Sequence, residues 1–182
     1  MAEVATRNLP SAPAAEWIRT MQPAVRFILH GNAQVRALAA PAWGVPFSEE
    51  ACRAKEQGSR ATLWHGPNEY LLLGGDAESE FAVGDELERA LKSVPHALVN
   101  VSHRQFAIEV SGPHAATIIN GACPLDLDLS EFPIGMCTRT LLAKADIVLW
   151  RTREDAFHLE IWRSFQGYVS GLLQELAREF YP

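Results

Sequence analysis

The stretch RQFAIEVSGPHAATIING, residues 104–121, decides the fold that the sequence predicts. In its first half, Phe, Ile and Val alternate with other residues, which predicts a strand with one buried face. Pro113 stands where the first turn of a helix tolerates proline, and Gly121 stands where a left-handed cap favours glycine. The apolar residues between them recur at helical spacing, so we expect a helix at about 113–120.

An equivalent stretch lies earlier in the chain. VRFILHGNAQVRALAA also predicts a strand, a glycine and a helix, the helix at about 32–39. The two stretches align at an offset of 81 residues, which places Gly31 on Gly112. The glycines are explained by the ends of strands and helices, and the sequence has neither a GxGxxG nor a GxxxxGK[ST] pattern for phosphate binding.

A hairpin and an amphipathic helix are predicted to follow in each half. ATLWHGPNEYLLLG turns at residues 65–69, and TLLAKADIVLWRTREDAFHLEIWRSF turns near residues 152–155, after one continuous strand that carries Leu141 on its buried face. The predicted fold class is therefore α+β, with internally duplicated β-α-β-β-α units at about 25–98 and 99–182. Their helices should pack on largely antiparallel sheets.

Residues 1–24 are rich in alanine and proline and show no sustained period. We expect an extended N-terminal arm that orders along a partner, followed by a single domain at 25–182. The arm lacks the apolar segment of a secretory signal, and no apolar run in the chain approaches the roughly 20 residues of a membrane helix.

Composition excludes several classes of function. Of 182 residues, 48% are hydrophobic and 21% are charged, which is typical of a globular protein with a core. The formal charge of −6 argues against a nucleic-acid binder, which needs a basic surface. Cys52, Cys123 and Cys137 are odd in number and irregularly spaced, so they predict neither a disulfide framework nor a zinc site. We expect a cytoplasmic protein.

Two groups near the predicted helix could carry chemistry. Cys123 could act as a nucleophile with His103 or His114 as its base, or be a small buried filler. Asp126 and Asp128 could bind a metal or divide acid and base roles, or belong to a solvated loop. The histidines are scattered and form no metal-binding pair on a helix.

Asp146 lies in the middle of the predicted strand LLAKADIVLW, beside Lys144. Its carboxylate would face solvent, or it would anchor a ligand amine or a partner's arginine. Because no complete catalytic set is recognisable, the residues favour a binding or assembly role.

Several segments carry a resemblance to a known family. SHRQ, SGPHA, GACPLDLDL, FPIGMCTRTLLAKADIVLWR and FHLEIWRSF, with GPNEYLLLG in the first half, resemble the gamma subunit of heterotetrameric sarcosine oxidase over about residues 27–177. That family is similar in turn to the aminomethyltransferase of the glycine-cleavage system, which has a tetrahydrofolate-binding fold. Asp146 is the nearest counterpart of the transferase's catalytic aspartate, although AKADIVLW departs from the transferase's glycine-rich, doubly acidic context.

The resemblance implies a small non-catalytic subunit of a flavoenzyme that oxidatively demethylates sarcosine to glycine. FAD, FMN, NAD and tetrahydrofolate would lie on partner subunits, and this chain would hold neither a cofactor nor a metal. The partners would be the alpha, beta and delta subunits, with alpha in direct contact. Two alternatives stay open: a small folate-dependent aminomethyl or formaldehyde transferase that uses Asp146, and the equivalent subunit of an N-methylglutamate dehydrogenase.

A subunit of this kind should bury on the order of 1,000 Å² per side against its partners. Aromatic residues and arginines dominate the energetics of such interfaces. Seven of them are interface candidates because each is predicted to lie outside the core stripes: Trp17, Trp43, Arg139, Trp150, Arg151, Trp162 and Arg163. The alternative is that the tryptophans are core residues and the arginines are solvated.

Overall fold

The computed structural model describes residues 17–21, 24–75 and 77–181. The strands of this part of the chain are β1 (Ile18–Thr20), β2 (Arg26–His30), β3 (Ala54–Gln57), β4 (Arg60–Gly66), β5 (Glu69–Leu73), β6 (Ala97–Asn100), β7 (Gln105–Ser111), β8 (Cys137–Leu142), β9 (Ala145–Arg153) and β10 (Ala156–Trp162). The helices are α1 (Ala33–Trp43), α2 (Glu80–Leu91), α3 (Ala115–Asn120) and α4 (Gln166–Ala177), with a 3-10 turn at Arg163–Phe165 before α4.

The strands form two five-stranded antiparallel sheets with the same internal order. One sheet is β3-β4-β5-β2-β6 and the other is β8-β9-β10-β7-β1. Element by element, β2-α1-β3-β4-β5-α2 corresponds to β7-α3-β8-β9-β10-α4. The predicted α+β duplication is therefore confirmed, and each unit contains one strand more than expected, β3 or β8.

Equivalent backbone hydrogen bonds fix the turn after the first strand of each unit. The Gly31 N–H donates to the Asn68 carbonyl at 2.8 Å, and the Gly112 N–H donates to the Asp155 carbonyl at 2.9 Å. Gly112 has a φ of 108°, a backbone conformation that side chains rarely adopt. The glycine pair that suggested the repeat thus has the same structural role in both halves.

The edge strands are exchanged between the units. β6 leads into the second unit along the chain but pairs with β2 of the first, whereas β1 leads into the first unit but pairs with β7 of the second. Matching bonds secure both: Val101 N–H donates to the Arg26 carbonyl at 2.9 Å, and Met21 N–H donates to the Ala107 carbonyl at 3.0 Å. The exchange ties the two units into one fold.

The constant offset of 81 residues is correct for the first strands and wrong for the closing helices. The buried residues of α2 are Val83, Leu87 and Leu91, and those of α4 are Val169, Leu173 and Ala177. These sets correspond at an offset of 86, because the loop before β8 (residues 121–136) is longer than the loop before β3 (residues 44–53).

The sheets lie face to face, and each is covered on its outer side by its own pair of helices. Apolar side chains from both sheets fill the space between them, among them Leu63 and Leu71 from one sheet and Val148 and Trp150 from the other. Two further clusters fill the space between each sheet and its helices. The layer order is helix, sheet, sheet, helix, with a groove at each end of the contact between the sheets.

A tight turn at Ala143 and Lys144 divides what the sequence suggested was one continuous strand. Ala143 adopts a φ of 51° and joins β8 to β9. The turn changes which side chains face inward, so Leu142 is fully buried while Leu141, expected on the buried face, is 46% exposed.

The stretch expected to be an extended arm contributes β1 to the second sheet. Trp17 is buried in the core beneath α4, and its ring stacks on Tyr181 at a centroid distance of 5.4 Å. Trp17→Ala is therefore expected to destabilise the domain rather than act on assembly alone. Residues 1–16, 22 and 23 of that stretch lie outside the described residues.

Candidate functional site

One groove gathers three exposed side chains that the sequence singled out, Arg139, Asp146 and Trp162. It opens between the two sheets near the turn that joins β8 to β9, and it encloses about 300 Å³. We call it the Asp146 groove, after a carboxylate on its wall. Its polar and aromatic lining consists of His65, Glu69, Arg104, Gln105, Arg139, Asp146, Glu160 and Trp162.

Asp146 is the second residue of β9, directly after the tight turn, rather than the middle of a long strand. Its neighbours Ala145 and Ile147 are buried, so alternation along the strand places the Asp146 side chain on the exposed face, where it lines the groove. It lies opposite Leu141 of β8 in the strand register. The expectation of an exposed carboxylate is met, and alternation along the strand is the reason.

His65 and Glu69 form a hydrogen-bonded pair on the opposite wall. His65 Nδ1 lies 2.6 Å from Glu69 Oε1, and the imidazole is largely buried. Burial lowers the pKa of His65 by more than the hydrogen bond and charge of Glu69 raise it, and the positive charges of Arg139 and Arg104 lower it further. The arrangement suits a neutral imidazole that donates its Nδ1 proton to the carboxylate.

Two arginines line the groove, and a third lies beside it. The Arg104 guanidinium lies over the Trp162 ring at 4.9 Å, and Arg139 lines the groove from β8. Arg163 follows Trp162, and its Nε donates to the His103 carbonyl at 3.1 Å. The structure thus places three interface candidates, Arg139, Trp162 and Arg163, at one surface, and all three are exposed.

The premise that the interface candidates lie outside the core is wrong for three tryptophans. Trp17 is 6% exposed, Trp43 0% and Trp150 8%. Trp43 ends α1 beneath the first sheet, and its indole N–H donates to the Ala61 carbonyl at 3.2 Å. Trp150 belongs to a strand that is covered on both faces, and its side chain is buried between the two sheets. These side chains are not available to a partner in this structure.

Arg151 is also buried, and its contacts explain why. Its guanidinium donates to the carbonyls of Leu127, Phe132 and Glu154 at 2.6–3.1 Å. It therefore holds the loop before β8 against the sheet. Whether the exposed candidates Arg139, Trp162 and Arg163 contact a partner stays a prediction.

The cysteine–histidine pair that the sequence left open as one alternative does not form, and Cys123 fits the other alternative, a small buried filler. Cys123 is buried, and its Sγ lies 3.9 Å from the Thr140 hydroxyl. His114 stacks on Phe180 at 4.6 Å, and His103 contacts a carboxylate of α2 at 2.8 Å. Neither imidazole is placed as a base for the thiol.

The paired carboxylates organise a loop. The Asp126 carboxylate accepts a hydrogen bond from the Asp128 N–H at 2.9 Å. Asp128 accepts from the N–H and hydroxyl of Ser130 at 2.9 and 2.7 Å, and these bonds lower its pKa. Within the described residues, no three His, Cys, Asp or Glu side chains come together as a possible metal site.

Sequence reasoning missed His65, Glu69 and Glu160 of the groove, and it also missed two neighbouring residues, Arg104 and Gln105. Both belong to the SHRQ segment just before and at the start of β7, which was used only as a marker of resemblance. Gln105 is buried, and its Oε1 has no hydrogen-bond partner among the described residues. A polar residue at the start of an otherwise apolar strand was the available signal.

Over the described residues, none of the helices combines the length and apolar character needed to cross a membrane.

Known proteins similar to this chain share its whole architecture. A chain of the heterotetrameric sarcosine oxidase from Corynebacterium sp. U-96, solved in complex with pyrrole 2-carboxylate, matches with a TM-score of 0.84 and 27% identity, over 91% of this chain and 85% of that one. The aminomethyltransferase T of the glycine cleavage system from Bartonella henselae matches with a TM-score of 0.66 and 12% identity, over 86% and 44%. The second likeness confirms the predicted aminomethyltransferase-like fold.

The sequence relatives described next are all named as gamma subunits of sarcosine oxidase. The sarcosine oxidase subunit gamma of Corynebacterium sp. (strain U-96) is 30% identical over 161 residues, covering 88% of this chain and 77% of that protein. Its counterpart from strain P-1 is 32% identical over 120 residues, covering 66% and 58%. The family described as "Sarcosine oxidase, gamma subunit family" (SoxG) matches residues 31–179. The chain therefore belongs to the sarcosine oxidase gamma subunit family.

Proposed function

We propose that this chain is the gamma subunit of a heterotetrameric sarcosine oxidase and supplies assembly surface rather than catalytic groups. The observation that carries the proposal is the likeness to a chain of the Corynebacterium heterotetramer, which extends over 91% of this chain. The complex would oxidatively demethylate sarcosine to glycine, with FAD, FMN, NAD and tetrahydrofolate on the partner subunits. Its location would be the cytoplasm.

The positions of the reactive side chains support the non-catalytic role. Cys123 is buried beside Thr140 without a base, and burial raises the pKa of the Cys137 thiol to about 12. Both thiols are therefore poor nucleophiles near neutral pH.

The partners would be the alpha, beta and delta subunits, with the most direct contact to alpha. The surface around Trp162 and its neighbouring arginines supports this assignment, because exposed tryptophan and arginine side chains are common centres of binding energy.

A second candidate function is a small folate-dependent transferase that uses Asp146. The observation that favours it is the place of Asp146 on the wall of a cavity of about 300 Å³. In this case the isolated chain would bind tetrahydrofolate, which the first proposal does not require.

Co-expression of the four subunits, with a tag on this chain, tests the first proposal. We expect the tagged chain to recover the other three subunits and a complex that produces hydrogen peroxide from sarcosine. The same complex carrying Cys123→Ala should keep its turnover, because the thiol has no catalytic role. Failure to recover partners would contradict the proposal. Oxidation of N-methylglutamate but not sarcosine, with reduction of an added electron acceptor in place of oxygen, would assign the chain to the related dehydrogenase.

A further inference from the structure

We propose that the Asp146 groove docks an acidic segment of a partner subunit, with its carboxylates on Arg104 and Arg139 and an apolar side chain against Trp162. The inference rests on the proposed function, because it names the surface and the chemistry through which the gamma subunit meets its complex.

The first observation that supports the proposal is the distribution of ion pairs around the groove. In the described part of the chain, Arg104, Arg139 and Arg163 form no ion pair with a carboxylate. Glu160 of the lining is already bound to Arg26, so Asp146 and Glu69 are the carboxylates to set against the three arginines, and one positive charge is left over at this surface in a chain with a formal charge of −6. Exposed guanidinium groups in such a cluster favour carboxylates, which they bind through paired hydrogen bonds.

The duplication supplies an internal comparison. The groove at the other end of the sheet contact encloses about 440 Å³, and we call it the Ser59 groove. The strand registers show which residues correspond in the two grooves. Glu56, which pairs with Ala61, is the counterpart of Arg139, which pairs with Val148. Ser59 is the counterpart of Asp146, because each directly precedes the next residue of its strand that corresponds, Arg60 or Ile147. The position that carries Arg139 in the Asp146 groove therefore carries a residue of opposite charge, Glu56, in the Ser59 groove.

The arginines of the Ser59 groove already have partners. Arg19 binds Glu109 at 3.1 Å, and Arg60 binds Glu78 at 2.6 Å. Trp162 lies two residues after Glu160 in the Asp146 groove. Its counterpart in the Ser59 groove lies two residues after Leu73 and is Gly75. Among the described residues, the Asp146 groove alone of the two thus combines unpaired cations with an exposed aromatic ring.

Two further features of the Asp146 groove suit a docked peptide segment. Trp162 is 47% exposed and Val99 of β6 is 50% exposed, so both offer apolar surface at its rim. Gln105 lines the groove with a buried Oε1 that no described residue satisfies. A backbone or side-chain N–H of a docked segment would satisfy this acceptor, and an unpaired buried acceptor is otherwise costly.

Charge reversal in the complete complex tests the docking surface. The double variant Arg104→Glu/Arg139→Glu, carried by the tagged chain and co-expressed with the other subunits, should recover at least about tenfold less partner than wild type. The matched control is Arg89→Glu/Arg178→Glu, which makes the same change in net charge at exposed residues in the last turn of α2 and directly after α4, outside both grooves. Thermal unfolding of the purified chains should show that both variants are folded.

A cross-link identifies the occupant. In an assembled complex with Arg139→Lys, a carbodiimide should join the introduced lysine to an aspartate or glutamate of a partner subunit, whereas Arg178→Lys should give no such product. Undiminished recovery of partners with the charge-reversed groove overturns the docking proposal and leaves the proposed function intact. A cross-link to a second copy of this chain, or to no carboxylate, also overturns it. A wild-type chain that recovers no partners overturns both.

Discussion

Arg26 Nε donates a 2.7 Å hydrogen bond to Glu160 Oε2 across the contact between the two sheets, and both side chains are buried. His158 Nε2 lies 2.8 Å from the other carboxylate oxygen. In the strand registers Arg26 pairs with Leu73 and Glu160 pairs with Ala107, so the equivalent positions of the duplicated units carry apolar residues. A buried ion pair therefore breaks the internal symmetry at one point.

Removing one member of this pair should be costly. Glu160→Leu leaves the Arg26 guanidinium buried without its carboxylate, which should lower the free energy of unfolding by about 3–5 kcal/mol. The double variant Arg26→Ala/Glu160→Leu restores the residue types of the equivalent positions and should recover much of the loss. Arg19→Ala, at a side chain 63% exposed, should cost less than about 1 kcal/mol. Urea unfolding measures the stability of the three variants and of the wild type, and a double variant less stable than Glu160→Leu would contradict the expectation.

The closing helices should respond alike to truncation of their equivalent leucines. Leu87 of α2 and Leu173 of α4 are each 0% exposed, so replacement by alanine should cost about 2–5 kcal/mol in either helix. Leu141→Ala, at an exposed position, is the control and should cost much less. The expectation fails if either helix variant is as stable as the control.

The His65–Glu69 pair predicts a loss of stability in mild acid. Because burial lowers the pKa of His65 below its ordinary value of 6.5, the unfolded chain takes up a proton at a higher pH than the folded chain does. The stability from the neutral imidazole is present above pH 6.5 and is lost as the pH falls below it. Denaturant unfolding at pH 7.5 and 5.5 should show the fall, and His65→Gln should reduce it. An identical pH dependence in the variant would count against this assignment.

The three thiols should differ in reactivity. Burial raises the pKa of Cys137 from 9.0 to about 12, and Cys123 is also buried, whereas Cys52 is partly exposed. In the folded protein at pH 8, Ellman's reagent should modify Cys52 first and Cys137 only on unfolding. The stability from the neutral Cys137 thiol should be lost as the pH rises from about 9 towards 12. Mass spectrometry locates the label, and equal rates at Cys52 and Cys137 would refute the prediction.

The isolated chain should bind neither flavin nor tetrahydrofolate, because the proposal places these on partner subunits. Absorbance spectroscopy tests for flavin and titration calorimetry tests for tetrahydrofolate. Micromolar folate binding that is lost in Asp146→Asn would favour the transferase over the assembly role.

The parts of the fold that depend on local pattern could be predicted from the sequence. The strand, glycine and helix of each unit are set by short-range periodicity, and Gly31 and Gly112 marked the repeat correctly. The expectation that Gly121 is a left-handed cap was wrong, because its φ is −60°. The turn at Ala143 was missed because a non-glycine residue adopts the left-handed conformation there. The exchange of β1 and β6 was missed because pairing between distant edge strands leaves no local pattern.

For the site and interface candidates, too, the sequence could predict the local pattern but not what the tertiary fold decides. Alternation placed Asp146 on an exposed face, as found, but it could not tell that Trp43 and Trp150 are covered on both sides. Arg104 joined the candidate site only through the fold, which brings β7, β8 and β10 to one groove.

The central claim is that this chain works as one subunit of a four-subunit oxidase. Native mass spectrometry of the complex recovered through a tag on this chain tests it most directly. The account predicts one mass equal to the sum of one copy each of the alpha, beta, gamma and delta subunits with their cofactors. A sole species at the 20.1 kDa of this chain, from cells that contain the other three subunits, would contradict it.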